Sequence, residues 1–167
     1  MGRTFSALKV IQLFTGPAAL ALALAMSAQA AFASCAPDRV IVETAASRQE
    51  FTIELADTDA SRAQGLMNRP HMPSASGMLF AYPRPQRAQF WMANTLIPLD
   101  MIFAGPDGGI LAVHENAVPL DRSVIDGGDG VQFVLEINGG LARRLGIAVG
   151  GALHHPSIAG SDCAPKL

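Results

Sequence analysis

The chain carries few of the residues that usually announce a chemistry. It has two cysteines, one tryptophan, one tyrosine and four histidines, and Lys+Arg number 12 against 14 Asp+Glu. Without a basic excess it lacks the face that nucleic-acid binding uses to neutralise phosphates. No phosphate loop, dinucleotide fingerprint or nucleophile elbow occurs. His114-Glu115 lacks the second histidine of a zinc-protease helix, and His154 and His155 show no metal-ligand spacing. Asp126-Gly-Gly-Asp-Gly130 lacks the spacing of a calcium-binding EF-hand loop and reads as a turn. Beyond the first thirty residues, no apolar run approaches the ~20 residues that a membrane-spanning helix needs.

The one long apolar run lies at the start. Arg3 and Lys9 precede a stretch from Val10 to Met26, and Ser27-Ala28-Gln29-Ala30 places small residues where a signal peptidase reads. That order predicts a secretory signal peptide over residues 1–30, in preference to a retained membrane anchor. Cleavage after Ala30 removes two of the basic residues and leaves a net charge of −4. The remainder is long enough for one domain with a real core. The expectation is a periplasmic or secreted protein with no membrane span once the signal is removed. Cys35 and Cys163, one near each end, are expected to pair in an oxidising compartment. A lipidated Cys35 is the alternative, since Phe32-Ala33-Ser34-Cys35 loosely resembles a lipobox.

After a tail over 31–38, Val40 to Thr44 is a short β-branched run, and Gln49 to Ala56 alternates with Phe51, Ile53 and Leu55 on one face. Asp57-Thr58-Asp59 offers caps for a helix ending at or near Gly65. A loop over 68–76 follows, then a short strand Gly77–Phe80, a turn at Tyr82-Pro-Arg-Pro85 and an alternating Arg87–Met92. Asn94 to Pro98 bends into Leu99–Phe103. Gly105 to Gly109 is a hairpin turn before Ile110–His114. Residues 116–130 are expected on the surface. Val131–Ile137 is a strand with its odd-numbered residues on one face, Gly139–Gly146 a short helix, and Gly151–His155 a last strand before a tail over 156–167. The fold class expected is mainly β, a compact β-sandwich or partly open barrel with one or two short helices.

Three blocks stand in order. They are Thr58-x3-Arg62-x2-Gly65-Leu66-Met67-x-Arg69; Gly77-Met-Leu-Phe80 with Phe90-Trp-Met-x-Asn-Thr-x-Ile-Pro-Leu-Asp-Met101; and Val134-Leu-Glu136 with Gly139-Gly140, Gly146-Ile147 and Gly150. This pattern resembles the DUF192 family of small prokaryotic domains over roughly residues 39–155. The resemblance implies a compact, mainly β fold and supplies no activity. Gly150-Gly151 stands where the family tends to have Gly-Asp, and Asn138-Gly139 where it tends to have Ala-Gly.

The densest polar constellation is Trp91, Asn94, Thr95 and Asp100, with Arg62 and Arg69 upstream and Glu136 downstream. Trp91 alternates out of the core side of its run and can serve as a stacking platform. Asp100 and Glu136 lie inside apolar strands, where a carboxylate is costly unless paired. The functional reading is a cleft holding a small polar ligand, or an envelope protein, with these seven residues as its binding set. The bland reading pairs Arg62 with Asp100 or Arg69 with Glu136 and makes Asn94-Thr95 a turn cap. A hydrolase or lyase using Asp100 or Glu136 with an arginine is the catalytic alternative, including two-carboxylate glycoside hydrolysis. Met67, Met72, Met78, Met92 and Met101 with His71 raise copper handling as a third reading, although most of these methionines lie in core-like runs. No cofactor and no resident metal is assigned.

Overall fold

The computed structural model describes residues 35–162. The expected signal peptide therefore lies outside the described residues. So does Cys163, and with it the expected Cys35–Cys163 bridge. The described parts of the two tails do meet. The His155 ring donates through Nε2 to the Pro37 carbonyl at 3.1 Å, and Asp162 N–H donates to His154 Nδ1 at 3.1 Å.

Seven strands and two short helices follow in the order β1 (Arg39–Glu43), β2 (Arg48–Ala56), α1 (Asp59–Gln64), β3 (Ser76–Phe90), β4 (Leu99–Ala104), β5 (Ile110–Ala117), β6 (Ile125–Asn138), α2 (Leu141–Leu145) and β7 (Ala152–His154). All seven strands form one sheet, ordered β5-β4-β6-β3-β2-β1-β7. The sheet curls until its two edges touch. Gly109 bridges Ala152, Ile110 N–H donates to the Gly151 carbonyl at 2.9 Å, and Leu153 N–H to the Gly108 carbonyl at 2.8 Å. Of the two architectures expected, this is the partly open barrel; there is no second stacked sheet among the described residues.

The β2–β3 pair is parallel and the other named pairs are antiparallel. A parallel neighbour needs a crossover, and α1 with the loop after it supplies one. Thr58 begins that helix with a capping box: Ser61 N–H donates to Thr58 Oγ1 at 3.1 Å and Thr58 N–H to Ser61 Oγ at 3.0 Å. The crossover keeps α1 on the outer side of the sheet, where the cleft described below forms.

Alternation along the strands builds two cores. The inner one holds Val40, Val42, Phe51, Ile53, Leu79, Ile102, Phe133, Leu135 and Ile137, closed by Leu141 and Ala142 of α2. The outer one holds Met78, Phe80, Leu99, Met101, Phe103 and Val134 beneath Leu66, Met92 and Ile97. Strands β4 and β6 thus bury both faces at the centre, as their near-continuous apolar sequence requires. Each fully buried Leu, Ile or Phe contributes roughly 1.5–3 kcal/mol, so two cores make the middle strands the most stable part of the sheet.

The turn expected at Tyr82–Pro85 is absent. β3 runs through it as a single strand, and the register jumps from Ala81↔Phe133 to Gln86↔Val131, leaving four residues opposite Gln132 alone. Pro83 and Pro85 are tolerated because no ladder bond is asked of them there. The same shift moves Val131 into the outer core, away from Phe133, Leu135 and Ile137, which corrects the single face expected for that strand. Residues 125–130, part of the stretch expected on the surface, keep Asp126, Asp129 and Gly130 exposed while pairing with the far end of β3. Gly127 makes this possible: a Cβ there would lie 2.1 Å from the Phe103 ring. The departure at Gly151 also has a physical cause, since a Cβ would stand 2.6 Å from the Glu43 carbonyl oxygen.

Candidate functional site

The outer half of β3, past the bulge, and α1 frame a cleft of about 330 Å³. That size lies at the lower end of the range for small-molecule sites. Arg62, Ala63 and Met67 form one wall, Tyr82, Gln89, Phe90 and Trp91 the other, with Val124 at the side and Phe80 and Glu136 below. Phe90 is fixed edge-on against Phe80 and Phe103, with ring centroids 5.2 and 5.8 Å away. Trp91 follows the last residue of β3 and points opposite to Met92, which is buried. The indole is therefore 58% exposed, held by its backbone and free to meet a ligand.

Glu136 is the unusual group. Its side chain is buried, it lies between Met78 of β3 and Met101 of β4 in register, and no hydrogen bond or ion pair engages its carboxyl among the described residues. Burial pushes its pKa up to about 8. It therefore carries its proton at neutral pH and presents an acid O–H within an apolar cleft. Tyr82 is likewise shifted upward, first by burial and further by the nearness of Glu136, against the opposing pull of Arg62. It stays a neutral phenol.

Arg62 reaches the cleft from α1 but is largely engaged. Its Nη1 donates to the Asp57 carbonyl at 2.5 Å and the Ala81 carbonyl at 2.8 Å, its Nη2 to Asp59 Oδ1 at 2.5 Å, and its guanidinium lies 5.2 Å from the Tyr82 ring centroid. It works as a strut that seats Tyr82 under the helix.

The structure brings three of the seven expected residues together: Arg62, Trp91 and Glu136. Asp100 is elsewhere. It shares the inner face with Ile102 and accepts three backbone N–H bonds, from Asn116 at 2.6 Å and Gly140 at 2.9 Å through Oδ1 and from Ala142 at 2.7 Å through Oδ2. Since Asp100 is opposite Ile137 and Met101 opposite Glu136, the two acids point to opposite faces of the sheet. That geometry corrects the pairing a two-carboxylate hydrolase would need. Neither expected Arg–carboxylate pair forms. Arg62 pairs with Asp59, and Arg69 makes a forked pair with Glu54, Nη2 to Oε2 at 2.6 Å. Arg69 thus faces a separate, smaller cleft of about 230 Å³ with Thr52, Glu54, His71 and Met72. The short reach from β2 to the crossover loop explains the partner change.

Asn94 and Thr95 hold the loop behind Trp91. Asn94 adopts a left-handed backbone (φ 58°) and its carbonyl accepts from Asn68 N–H at 2.8 Å; the Thr95 carbonyl accepts from Leu120 N–H at 3.1 Å. Thr95 is buried and does not line the cleft. The bonds to Asn68 and Leu120 are backbone contacts; among the described residues the two side chains reach only Met67 Sδ, from Asn94 Nδ2 at 3.9 Å, and the Ala93 carbonyl, from Thr95 Oγ1 at 3.4 Å. Met78, Met92 and Met101 are buried in the outer core and Met67 lines the cleft wall. Among the described residues, no three His, Cys, Asp or Glu side chains stand close enough to hold a metal ion.

Sequence reasoning missed Tyr82, Phe90, Met67 and Val124. Tyr82 was hidden in a Pro-rich segment that reads as a turn. Phe90 alternates with Trp91 and so reads as core, yet both line the one cleft.

A model of the DUF192 family, described as "Uncharacterized ACR", matches residues 40–155. A crystal structure of a protein of unknown function from Novosphingobium aromaticivorans is 44% identical, with a TM-score of 0.68, over 70% of this chain and 83% of that one. A Sinorhizobium meliloti structure described as a "putative transcription regulator" is 42% identical, with a TM-score of 0.69, over 73% of this chain and 95% of that one. No curated protein matches. With the family model spanning more than half of the sequence, the chain belongs to the DUF192 family.

Proposed function

We propose that the protein is exported and acts in the periplasm or outside the cell as a non-catalytic module that holds a small ligand in the cleft beside Trp91. The observation that carries this reading is the convergence of Trp91, Tyr82 and Phe90 on a cleft whose buried carboxyl, Glu136, has no hydrogen-bond partner among the described residues. A buried polar group left unbonded costs stability, so its retention favours an outside partner. Export is supported by the order of charges, apolar residues and small residues over 1–30.

The test uses the single tryptophan. Titrating the protein with a panel of metabolites and envelope components should change Trp91 emission and raise the melting temperature for at least one class. Trp91→Ala should abolish the stabilisation without unfolding the protein. No shift in emission or melting temperature across the panel overturns the reading.

A protein partner is the second reading. Leu96, Val118, Leu120 and Val124 are exposed beside Trp91, on loops joined by Met92 N–H to the Asp121 carbonyl at 2.8 Å. An apolar patch of this kind suits docking. Catalysis has less support: Glu136 meets the requirement of a raised pKa, but no second carboxyl lines the cleft. The transcription-regulator description of the Sinorhizobium protein finds little support here either. Six arginines of this chain (Arg39, Arg48, Arg62, Arg69, Arg87 and Arg143) are paired with acids, which leaves little of the basic surface DNA requires.

A further inference from the structure

We propose that the cleft is a receptor for a small organic ammonium ion, its charged nitrogen met by the Glu136 carboxylate and its apolar body laid on the rings of Trp91, Tyr82 and Phe90. This deepens the ligand-binding reading above and rests on it.

Three observations point to that chemistry. The first is the lining: aromatic rings supply most of one wall, and the face of an aromatic ring attracts a cation, most strongly when water is excluded. The second is the carboxyl itself. It is 4% exposed, it belongs to the cleft, and it has no hydrogen-bond partner among the described residues. The third is the set of charges around it. From α1 the facing charged group is Arg62, bound to Asp59 and to two backbone carbonyls. Of the β3 residues that line the cleft, Tyr82 alone is titratable, and the strand neighbours Met78 and Met101 do not ionise. Burial raises the proton affinity of Glu136, and Arg62, the cation that lines the same cleft, is already bound to Asp59 and two carbonyls.

A hard metal ion fits poorly, because it needs about six oxygens and this cleft offers one carboxyl. A simple anion would meet an acid O–H but also three electron-rich ring faces. An organic cation satisfies the rings and the carboxyl together. Its arrival favours the charged form of Glu136: the O–H bond breaks, the proton leaves to solvent, and the carboxylate pairs with the ammonium group. One proton is released for each cation bound while the empty site is protonated.

The probes are choline, benzyltrimethylammonium and tetramethylammonium, none of which titrates, with 3,3-dimethylbutan-1-ol as the uncharged isostere of choline and sodium chloride as the ionic control. Binding is read from Trp91 emission and from proton release into weak buffer. At least one cation should bind about tenfold more tightly for each pH unit between 6 and 7.5 and level off above about 8. It should exceed the isostere by at least tenfold at pH 8.5, and Glu136→Gln should erase both the preference and the pH slope. The slope is read on the unaltered protein, so the conclusion stands even where the variant misfolds. Equal, pH-independent binding of cation and isostere overturns the ammonium assignment and keeps the cleft as a ligand site. No response to any cation overturns the assignment too, and the metabolite panel then decides the wider reading on its own.

Discussion

The two faces of the central strands carry one buried acid each, and the two are treated in opposite ways. On the inner face Asp100 accepts three backbone N–H bonds and ties β4 to β5 and to the start of α2. On the outer face Glu136, one strand away, accepts none from the described residues. Both interrupt apolar runs, and composition alone makes them alike. What separates them is which side of the sheet each side chain takes, and therefore whether it meets unsatisfied amides or an open cleft. A buried carboxylate that saturates backbone donors is a structural tie; one left without donors is a candidate for binding.

The sharpest way to break that contrast is Asp100→Ala. It leaves three N–H donors buried or half-buried without acceptors, and should lower unfolding free energy by about 4–5 kcal/mol in denaturant titration. A loss below about 1 kcal/mol would mean that Asp100 ties nothing.

Glu136→Gln should act in the opposite direction and only at higher pH. The ordinary carboxyl pKa of 4.5 applies to the unfolded chain, against about 8 in the fold. Between those values the unfolded state binds fewer protons, so stability falls as pH rises and levels off above about 8. His155 works the other way at lower pH. Burial lowers its pKa from 6.5, so its contribution is lost as pH falls below that value. The Glu136 slope is therefore best read above pH 6.5. Removing the carboxylate should flatten it and leave the variant more stable than the parent at pH 8 by about 4 kcal/mol. An unchanged slope would place the Glu136 carboxyl in water.

Arg69→Ala gives the smallest effect. Its pair with Glu54 is part exposed, so the loss should be about 0.5 kcal/mol, and ligand response at Trp91 should not change. A large loss of response would join the two clefts into one site.

Much of the fold was legible in the residues. Gln49–Ala56 alternates and forms β2, Thr58 caps α1, and Gly105–Gly109 turns as its residue types demand. Tyr82–Pro85 misled because prolines mark a turn when read locally, while pairing partners fifty residues away hold that segment in an extended strand. The site was legible only in part, for the same reason. Trp91 follows from alternation, but the partners of Arg62 and Arg69 depend on a crossover and a register that no local pattern encodes.

The meeting of Gly109 with Ala152 also bears on solubility. An open sheet leaves two rows of unpaired backbone donors and acceptors, ready to template a further strand from another molecule. Here β7 has three residues and closes against the beginning of β5. The closure denies strand addition to the start of β5 and to β7, while the rest of β5 pairs with β4 alone among the described residues.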